Sequence, residues 1–492
     1  MNSGSMPSSH PFLRAASCAA SAVLLSIAAF MAGCSGGGSS MTTTPNPTPT
    51  PTPASSTQVQ VNMGDSPADW MLAFSMNITS MSLTSSSGST AVVSTSTPME
   101  MMHLMGTMQP LAMISAPQGT YTGASITVGS ATVMYMDPST HQPMQKTLSG
   151  PMTASITFAS PMNLASTPMA MGFDLDLAKS VTQDSNGNLV MNPVFHVTTG
   201  MQGSGNPMDF EDGGVQQMMG MVTAASGTSF TMSSMVASQS FTFAMNSSTK
   251  FSGTSMSGMA SGMLVLVDAA MQSDGSLMAT NVINTMGSGG LMGGGVITSI
   301  TGNPPTAITM TMQNGVGSGM MSSYFASGVT INLASTTTYS MDTDQVDMSG
   351  LPFTPVFDAA HIYAGQSVMP VSSSGMMSGG SGGMGGMGGG GMMGGAGTMN
   401  ATQLYLAPQG VTGTVATSVT GGGAATLTLT LPSDSAFTTL TGATTVTVYQ
   451  QSKTIVTGNA SIPSGSSIHA FGLLFFDGGE WKMIAQRIGL NS

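Results

Sequence analysis

From residue 58 onward the apolar residues come in short runs that alternate with polar ones, and Gly, Ser, Asn or Pro cuts each run within a few residues. Residues 59–63 (VQVNM), 73–78 (AFSMNI), 125–128 (SITV) and 155–158 (SITF) all follow this pattern. A period of two places one set of side chains on one face, which is the signature of strands with one buried side. No stretch has the 3.6-residue period of an amphipathic helix. Many short strands with frequent turn signals imply an all-β chain built of sandwiches or barrels. At 492 residues there is room for about three to four domains of ~100–200 residues each.

Charge narrows the function further. Only 5% of residues are Asp, Glu, Lys or Arg, and the formal net charge is −12. Nucleic-acid binding works by neutralising phosphates with Lys and Arg. Seven cations scattered along the chain cannot form such a patch, so that class is excluded. The same scarcity disfavours phosphate-rich substrates and anionic headgroups. Only three glutamates, Glu100, Glu211 and Glu480, leave little for general acid–base catalysis.

The N-terminus reads as an export segment. Residues 1–14 are polar and end in Arg14, and residues 15–32 are almost wholly apolar. Met31-Ala32-Gly33-Cys34 then closes the segment. A cationic start, an apolar stretch and small residues before the cut make a secretory signal. Cysteine directly after the small residues resembles the bacterial lipoprotein box, with Met31 where Leu is commoner. The resemblance implies cleavage after residue 33 and lipidation of Cys34. Ser35 resembles the residue that permits outer-membrane sorting. Of two cysteines, Cys18 and Cys34, only Cys34 would then survive, so no intramolecular disulfide is possible. An uncleaved membrane helix is the alternative, because an 18-residue apolar run is just long enough to span. Residues 34–57 read as a linker whose Pro-Thr alternation favours extended polyproline II, a semi-rigid spacer.

Residues 58–199 carry Gly64-Asp65-Ser66-Pro67-Ala68 after a first strand, Pro117-Gln118-Gly119-Thr120-Tyr121, and Phe173-Asp174-Leu175-Asp176 followed by Ser180-Val181. These landmarks resemble domain-of-unknown-function family 4382, found in bacterial lipoproteins. The likeness implies a β-sandwich without an established activity. Where that family is Leu-rich, this chain has Met99-Glu100-Met101-Met102-His103-Leu104-Met105. Three later segments, 215–290, 293–409 and 410–492, open alike with Gly220-Met221-Val222, Gly294-Gly295-Val296 and Gly410-Val411-Thr412. The first resembles domain-of-unknown-function family 5666, including its closing Asp274-Gly275 turn and strand to Val282. That likeness implies three small β-barrel-like repeats. The second repeat carries a Gly- and Met-rich insertion, residues 372–399, expected to be a flexible loop because glycine cannot repay its ordering entropy.

Methionine is the residue type most able to carry chemistry, with 52 copies. Thioethers favour soft ions, so Cu(I) or Ag(I) binding is one reading. One cluster is Met99, Met101, Met102, His103, Met105 and Met108. The other is Met376, Met377, Met384, Met387, Met392, Met393 and Met399 in the insertion. The competing reading is that Met fills apolar cores in place of Leu; oxidant scavenging through reversible sulfoxide formation is a third. Asp342, Asp344 and Asp347 offer oxygen ligands for Ca²⁺ but lack the rest of an EF-hand loop, so a solvated turn is the plainer account. Asp174 and Asp176 place paired carboxylates on one strand face. His103, His141, His196, His361 and His469 show no ligand spacing and default to surface or capping roles. No catalytic residue set emerges. The expected protein is a non-enzymatic envelope lipoprotein, bound to the membrane through its lipid, with a structural or binding role toward an envelope protein or glycan. A Cu(I)/Ag(I) binder ranks second and an enzyme third.

Overall fold

The computed structural model describes residues 55–66, 68–104, 108–137, 139–185, 188–201, 213–234, 237, 239–284, 290–291, 294–313, 328–341, 343, 346–372, 397–421, 424–457 and 462–490. These residues fold almost entirely as strands, the all-β class that the alternating runs imply. The two helices among them, Leu177–Ser180 and Ala436–Thr441, are single turns or little more.

The first module is a sandwich. Its strands are β1 (Ser56–Ser66), β2 (Met71–Ser85), β3 (Gly88–Val93), β4 (Thr97–Glu100), β5 (Met108–Pro117), β6 (Gly119–Met136), β7 (Pro143–Leu148), β8 (Met152–Leu164), β9 (Met169–Asp176), β10 (Val181–Gln183), β11 (Leu189–Met191) and β12 (Phe195–Met201). One sheet has the order β12-β9-β1-β5, with β1 and β9 parallel. The other runs β3-β2-β6-β7, with β4 added to β2 and β8 to β6. Val59, Val61 and Met63 of β1 meet Phe74, Ile78, Ile126 and Val128 of the facing sheet in one core. The opposite face of β1 is buried too. Gln60 Nε2 donates to Asn62 Oδ1 at 2.8 Å and to the Gly213 carbonyl at 3.3 Å, the latter in the approach to the next module.

Three barrels follow. The first uses β13 (Gly214–Ala225), β14 (Ser229–Ser234), β15 (Ser240–Ala244), β16 (Lys250–Ser252), β17 (Leu264–Met271) and β18 (Leu277–Asn284). The second uses β19 (Gly290–Leu291), β20 (Gly295–Thr301), β21 (Ala307–Met312), β22 (Val329–Met341), β23 (Ser367–Ser372) and β24 (Gly397–Leu406). The third uses β25 (Gln409–Gly421), β26 (Ala424–Thr430), β27 (Thr445–Thr457), β28 (Ser467–Asp477) and β29 (Glu480–Leu490). Each closes into a ring of five by the same path, β13-β14-β15-β18-β17, β20-β21-β22-β24-β23 and β25-β26-β27-β29-β28. The third and fifth strands of each ring run parallel, and all other ring neighbours are antiparallel. Closure leaves each ring without a free edge.

The parallel seam is interrupted at the same place in each barrel. β15 gives way to β16, and the register shifts between Leu333 and Thr338 and between Gln450 and Ile455. A threonine bridges each break. Thr249, Thr337 and Thr454 donate to the carbonyls of Ala279, Ala401 and Ala485 at 2.8, 2.8 and 2.7 Å. Their hydroxyls also accept from the amides of Asn246, Ala334 and Gln451, which the bulge withdraws from the ladder. A second shared device is steric. A Cβ on Gly220, Gly295 or Gly413 would collide with the carbonyl oxygen of Ser233, Thr311 or Thr430, so only glycine lets the first strand cross this closely over the second.

Apolar packing joins the modules. The second barrel's core takes in Leu72, Ala73, Met134 and Met136 from the sandwich and Leu473, Phe475 and Ile484 from the third barrel. The first barrel touches the sandwich through Ala170 and Met113, and the second barrel through Val371. The connection between fourth and fifth strands is a tight turn at 272–276 and at Gly478-Gly479 but spans 373–396 in the second barrel. Met399, grouped with that insertion by sequence, is instead a buried core residue of β24, because the strand pairing resumes at Gly397.

Replacing Thr337 with Val keeps the volume but strands the Ala334 amide and the Ala401 carbonyl. The expected loss is about 1–3 kcal/mol, measured by urea denaturation, and an unchanged midpoint would refute the bridging role.

Candidate functional site

A cavity of about 100 Å³ lies where the sandwich meets the second and third barrels, with Gln217 of the first barrel at its wall. It is positioned by the turn that follows β1. The Met71 amide bonds the Ala68 carbonyl at 2.9 Å, which folds Asp69 and Trp70 into a tight link to β2. The Asp69 carbonyl in turn accepts from the Ala436 amide at 2.7 Å, so the turn is pinned to the third barrel. Ser435 caps the short helix there by accepting from the Thr438 amide at 2.9 Å. Met71 and Leu72 form one wall, Val296 and Gln313 another, and Phe437, Leu440 and Phe471 a third.

Asp69 is the single ionisable side chain among the lining residues. Burial raises its pKa from the ordinary carboxylate range to about 6, against a hydrogen bond from Thr412 that lowers it, with Asp434 adding a smaller upward push. The Thr412 hydroxyl also lies 3.0 Å from His469 Nδ1, so a chain of Asp69, Thr412 and His469 runs from the cavity into the third barrel. His469 is buried, contrary to the surface role expected from sequence, because β28 is covered on both faces: Ile468 and Ala470 enter the barrel core and His469 lies on the other side, beside Thr412. Gln217, also on the wall, holds a left-handed φ of 46° at a bulge in β13. Its amide donates to Asp268 Oδ1 at 2.8 Å, which anchors that conformation.

A second polar group lies at the ends of β1 and β9. Asp65 is buried, neither of its carboxylate oxygens has a hydrogen-bond partner, and its pKa is raised well above the usual range. Burial is the main cause, and Asp174, Glu100 and Asp176 add like-charge repulsion. Asp65 therefore keeps its proton to a higher pH than an ordinary carboxylate does. Asp174 and Asp176 share the outer face of β9. Asp174 accepts from Ser66 Oγ, and burial raises its pKa. Asp176 caps the helix Leu177–Ser180 and pairs with Lys179 Nζ at 2.9 Å and His196 Nε2 at 3.2 Å. These bonds outweigh a desolvation penalty and hold its pKa below the usual value. The pair thus does structural work, one as a cap and one as a serine acceptor.

The methionine cluster around residue 100 is divided by the fold. Met99, Met101 and Met102 are buried in or against the sandwich core, and Met102 also touches the cavity wall. Met108 is half-buried on β5, with its sulfur packed over Gly172. His103 sits in a one-turn 3₁₀ helix, Met102–Leu104; its side chain and all of Met105 lie outside the described residues. Cys34, Met376, Met377, Met384, Met387, Met392 and Met393 lie outside them as well. Asp347 accepts from the Ser349 amide at 2.9 Å and hydroxyl at 2.6 Å and from Ser452, which lowers its pKa to about 2; Asp342 and Asp344 are not among the described residues. Among the described residues no three His, Cys, Asp or Glu side chains are grouped to hold a metal ion. Asp69, Thr412 and His469 were invisible as a set in the sequence, since hundreds of residues separate the first from the others and no spacing links them.

The fold defines a modular all-β protein, one sandwich joined to three barrels of identical topology. Residues 219–283, nearly all of the first barrel, match the family described as Domain of unknown function (DUF5666). No curated protein matches the chain.

The buried acids set a pH dependence. An acid whose pKa is raised on folding keeps a proton that the unfolded chain releases above about 3.9, so stability is highest below that value and falls as pH rises through the folded pKa. Asp69 acts this way up to about pH 6, and burial pushes Asp65 in the same direction. Asp65→Asn removes the ionisation. The difference in melting temperature, variant minus wild type, should be more positive at pH 8 than at pH 5. Equal differences at the two pH values would show that Asp65 does not titrate in this way.

Proposed function

We propose that this chain is a cell-envelope lipoprotein, lipidated at Cys34, whose β modules act as a non-enzymatic structural or binding body. The carrying observation is Met31-Ala32-Gly33-Cys34 directly behind the apolar run 15–32, followed at once by the Pro/Thr linker. Two or more acyl chains on one residue anchor stably, whereas one does so marginally. Among the described residues no helix is long and apolar enough to cross a membrane. The likeness of residues 58–199 to family 4382 supports the same reading, and its Gly64-Asp65-Ser66-Pro67 landmark coincides with the buried acid at the end of β1. Four modules joined by shared apolar cores suit a rigid body that presents a surface to a protein or glycan partner.

A second reading has one observation in its favour. The Gly/Met-rich tract replaces a hairpin turn that is five residues or fewer in the sibling barrels. Such a turn accepts insertions at little cost to the ring. Its thioethers suit Cu(I) or Ag(I) bound outside the core.

Mass spectrometry of the natively expressed protein should find a mature N-terminus at Cys34 carrying acyl groups, and Cys34→Ser should abolish membrane retention. An unmodified chain beginning at Met1 refutes the anchor. Titration with Cu(I) against a competing chelator tests the second reading: tight stoichiometric binding lost on deletion of 373–396 supports it, and no binding rejects it.

A further inference from the structure

We propose that the cavity between the sandwich and the second and third barrels binds a small organic cation, a short primary alkylammonium, through the Asp69 carboxylate. This stands independently of membrane anchoring. Its basis is the way the wall's polar groups are committed. Gln313 Nε2 donates to the Leu72 carbonyl at 2.9 Å. Gln409 donates to the Gly365 carbonyl at 2.8 Å while its oxygen accepts from the Ser367 amide. Ser435 is taken up by the helix cap, accepting from the Thr438 amide and donating to its hydroxyl at 2.8 Å. The one charged lining group is Asp69, and no Lys or Arg lines the cavity. A carboxylate has about four acceptor sites, and the Thr412 hydroxyl takes one. The groups facing it are Thr412 of β25, His469 of β28 behind that hydroxyl, and Asp434 and Ser435 before the helix. None of them is a Lys or Arg.

An ammonium head supplies both the missing charge and up to three donors. Apolar side chains also line the cavity, among them Met71, Leu72, Phe437, Leu440 and Phe471. An alkyl tail would be desolvated against them. A dry cavity of about 150 Å³ accommodates benzene, so about 100 Å³ suits roughly five heavy atoms. An anion would meet an uncompensated carboxylate, and a neutral alcohol would leave that charge unpaired. Because the wall is drawn from all four modules, the ligand would also tie them together.

Calorimetric titration of the purified protein with n-butylammonium chloride tests this, with n-butanol and sodium butyrate as controls. Saturable binding is expected at pH 8 with a dissociation constant on the order of 1 mM, in keeping with about five heavy atoms. At pH 5 binding should weaken about tenfold, because a carboxyl titrating at about 6 keeps only a tenth of its charge there. Asp69→Asn should weaken binding at least as much, and Leu440→Trp, which fills the cavity and spares the carboxylate, should abolish it. Butyrate should not bind. Absence of saturable butylammonium binding overturns the proposal. So does equal affinity for butanol, or undiminished binding in either folded variant. If Asp69→Asn does not fold, the pH comparison and Leu440→Trp decide.

Discussion

Each barrel exists because its third and fifth strands pair in parallel. Without that seam the five strands would form an open sheet with two unpaired edges, and in a chain with so little charge nothing else would guard those edges. Parallel pairing between strands of such short segments is demanding, since the path must cross the end of the ring. The bulge in the third strand lets it bend into place, and the bridging threonine restores the hydrogen bonds that the bulge breaks. One side chain of the same type thus solves the same problem three times. The glycine on each first strand solves the complementary one, allowing close approach at the corner where the ring turns.

Scarcity of charge also shapes how the modules associate. Few ion pairs are available to orient one module on another, so the interfaces are built from apolar side chains and committed amides. Leu72 and Met134 of the sandwich enter the second barrel's core, and Phe475 of the third barrel does the same. Methionine fits this use. Its unbranched, polarisable side chain fills the irregular spaces between twisted sheets that do not match in shape. Met71 and Met102 are examples at the cavity, where three curved surfaces fail to close completely. The cavity is therefore a consequence of packing barrels against a sandwich, and Asp69 is the one ionisable group left facing it.

The two buried acids differ in what surrounds them. Asp69 has a hydroxyl partner and an opening beside it, and it titrates near neutrality. Asp65 has neither, and burial within the sandwich raises its pKa well above the usual range. Burial without pairing destabilises a charged carboxylate far more than a neutral one, and like-charge repulsion from Asp174 and Glu100 pushes in the same direction.

Local pattern alone determined the all-β class and the family likeness of the first barrel, because alternation and turn residues act over a few positions and survive in any context. The bridging threonines sit in a recurring Ser-x-Thr spacing, Ser247 to Thr249, Ser335 to Thr337 and Ser452 to Thr454, though only the parallel register explains their purpose. Tertiary structure decided the rest. Whether Met99 and Met101 meet a metal or a core depends on which sheet face they occupy, and the facing sheet put them inside. Asp69, Thr412 and His469 come together only when the third barrel docks on the sandwich turn, an encounter between residues far apart along the chain. Such proximity is set by long-range packing, which leaves no periodic trace in the order of residues.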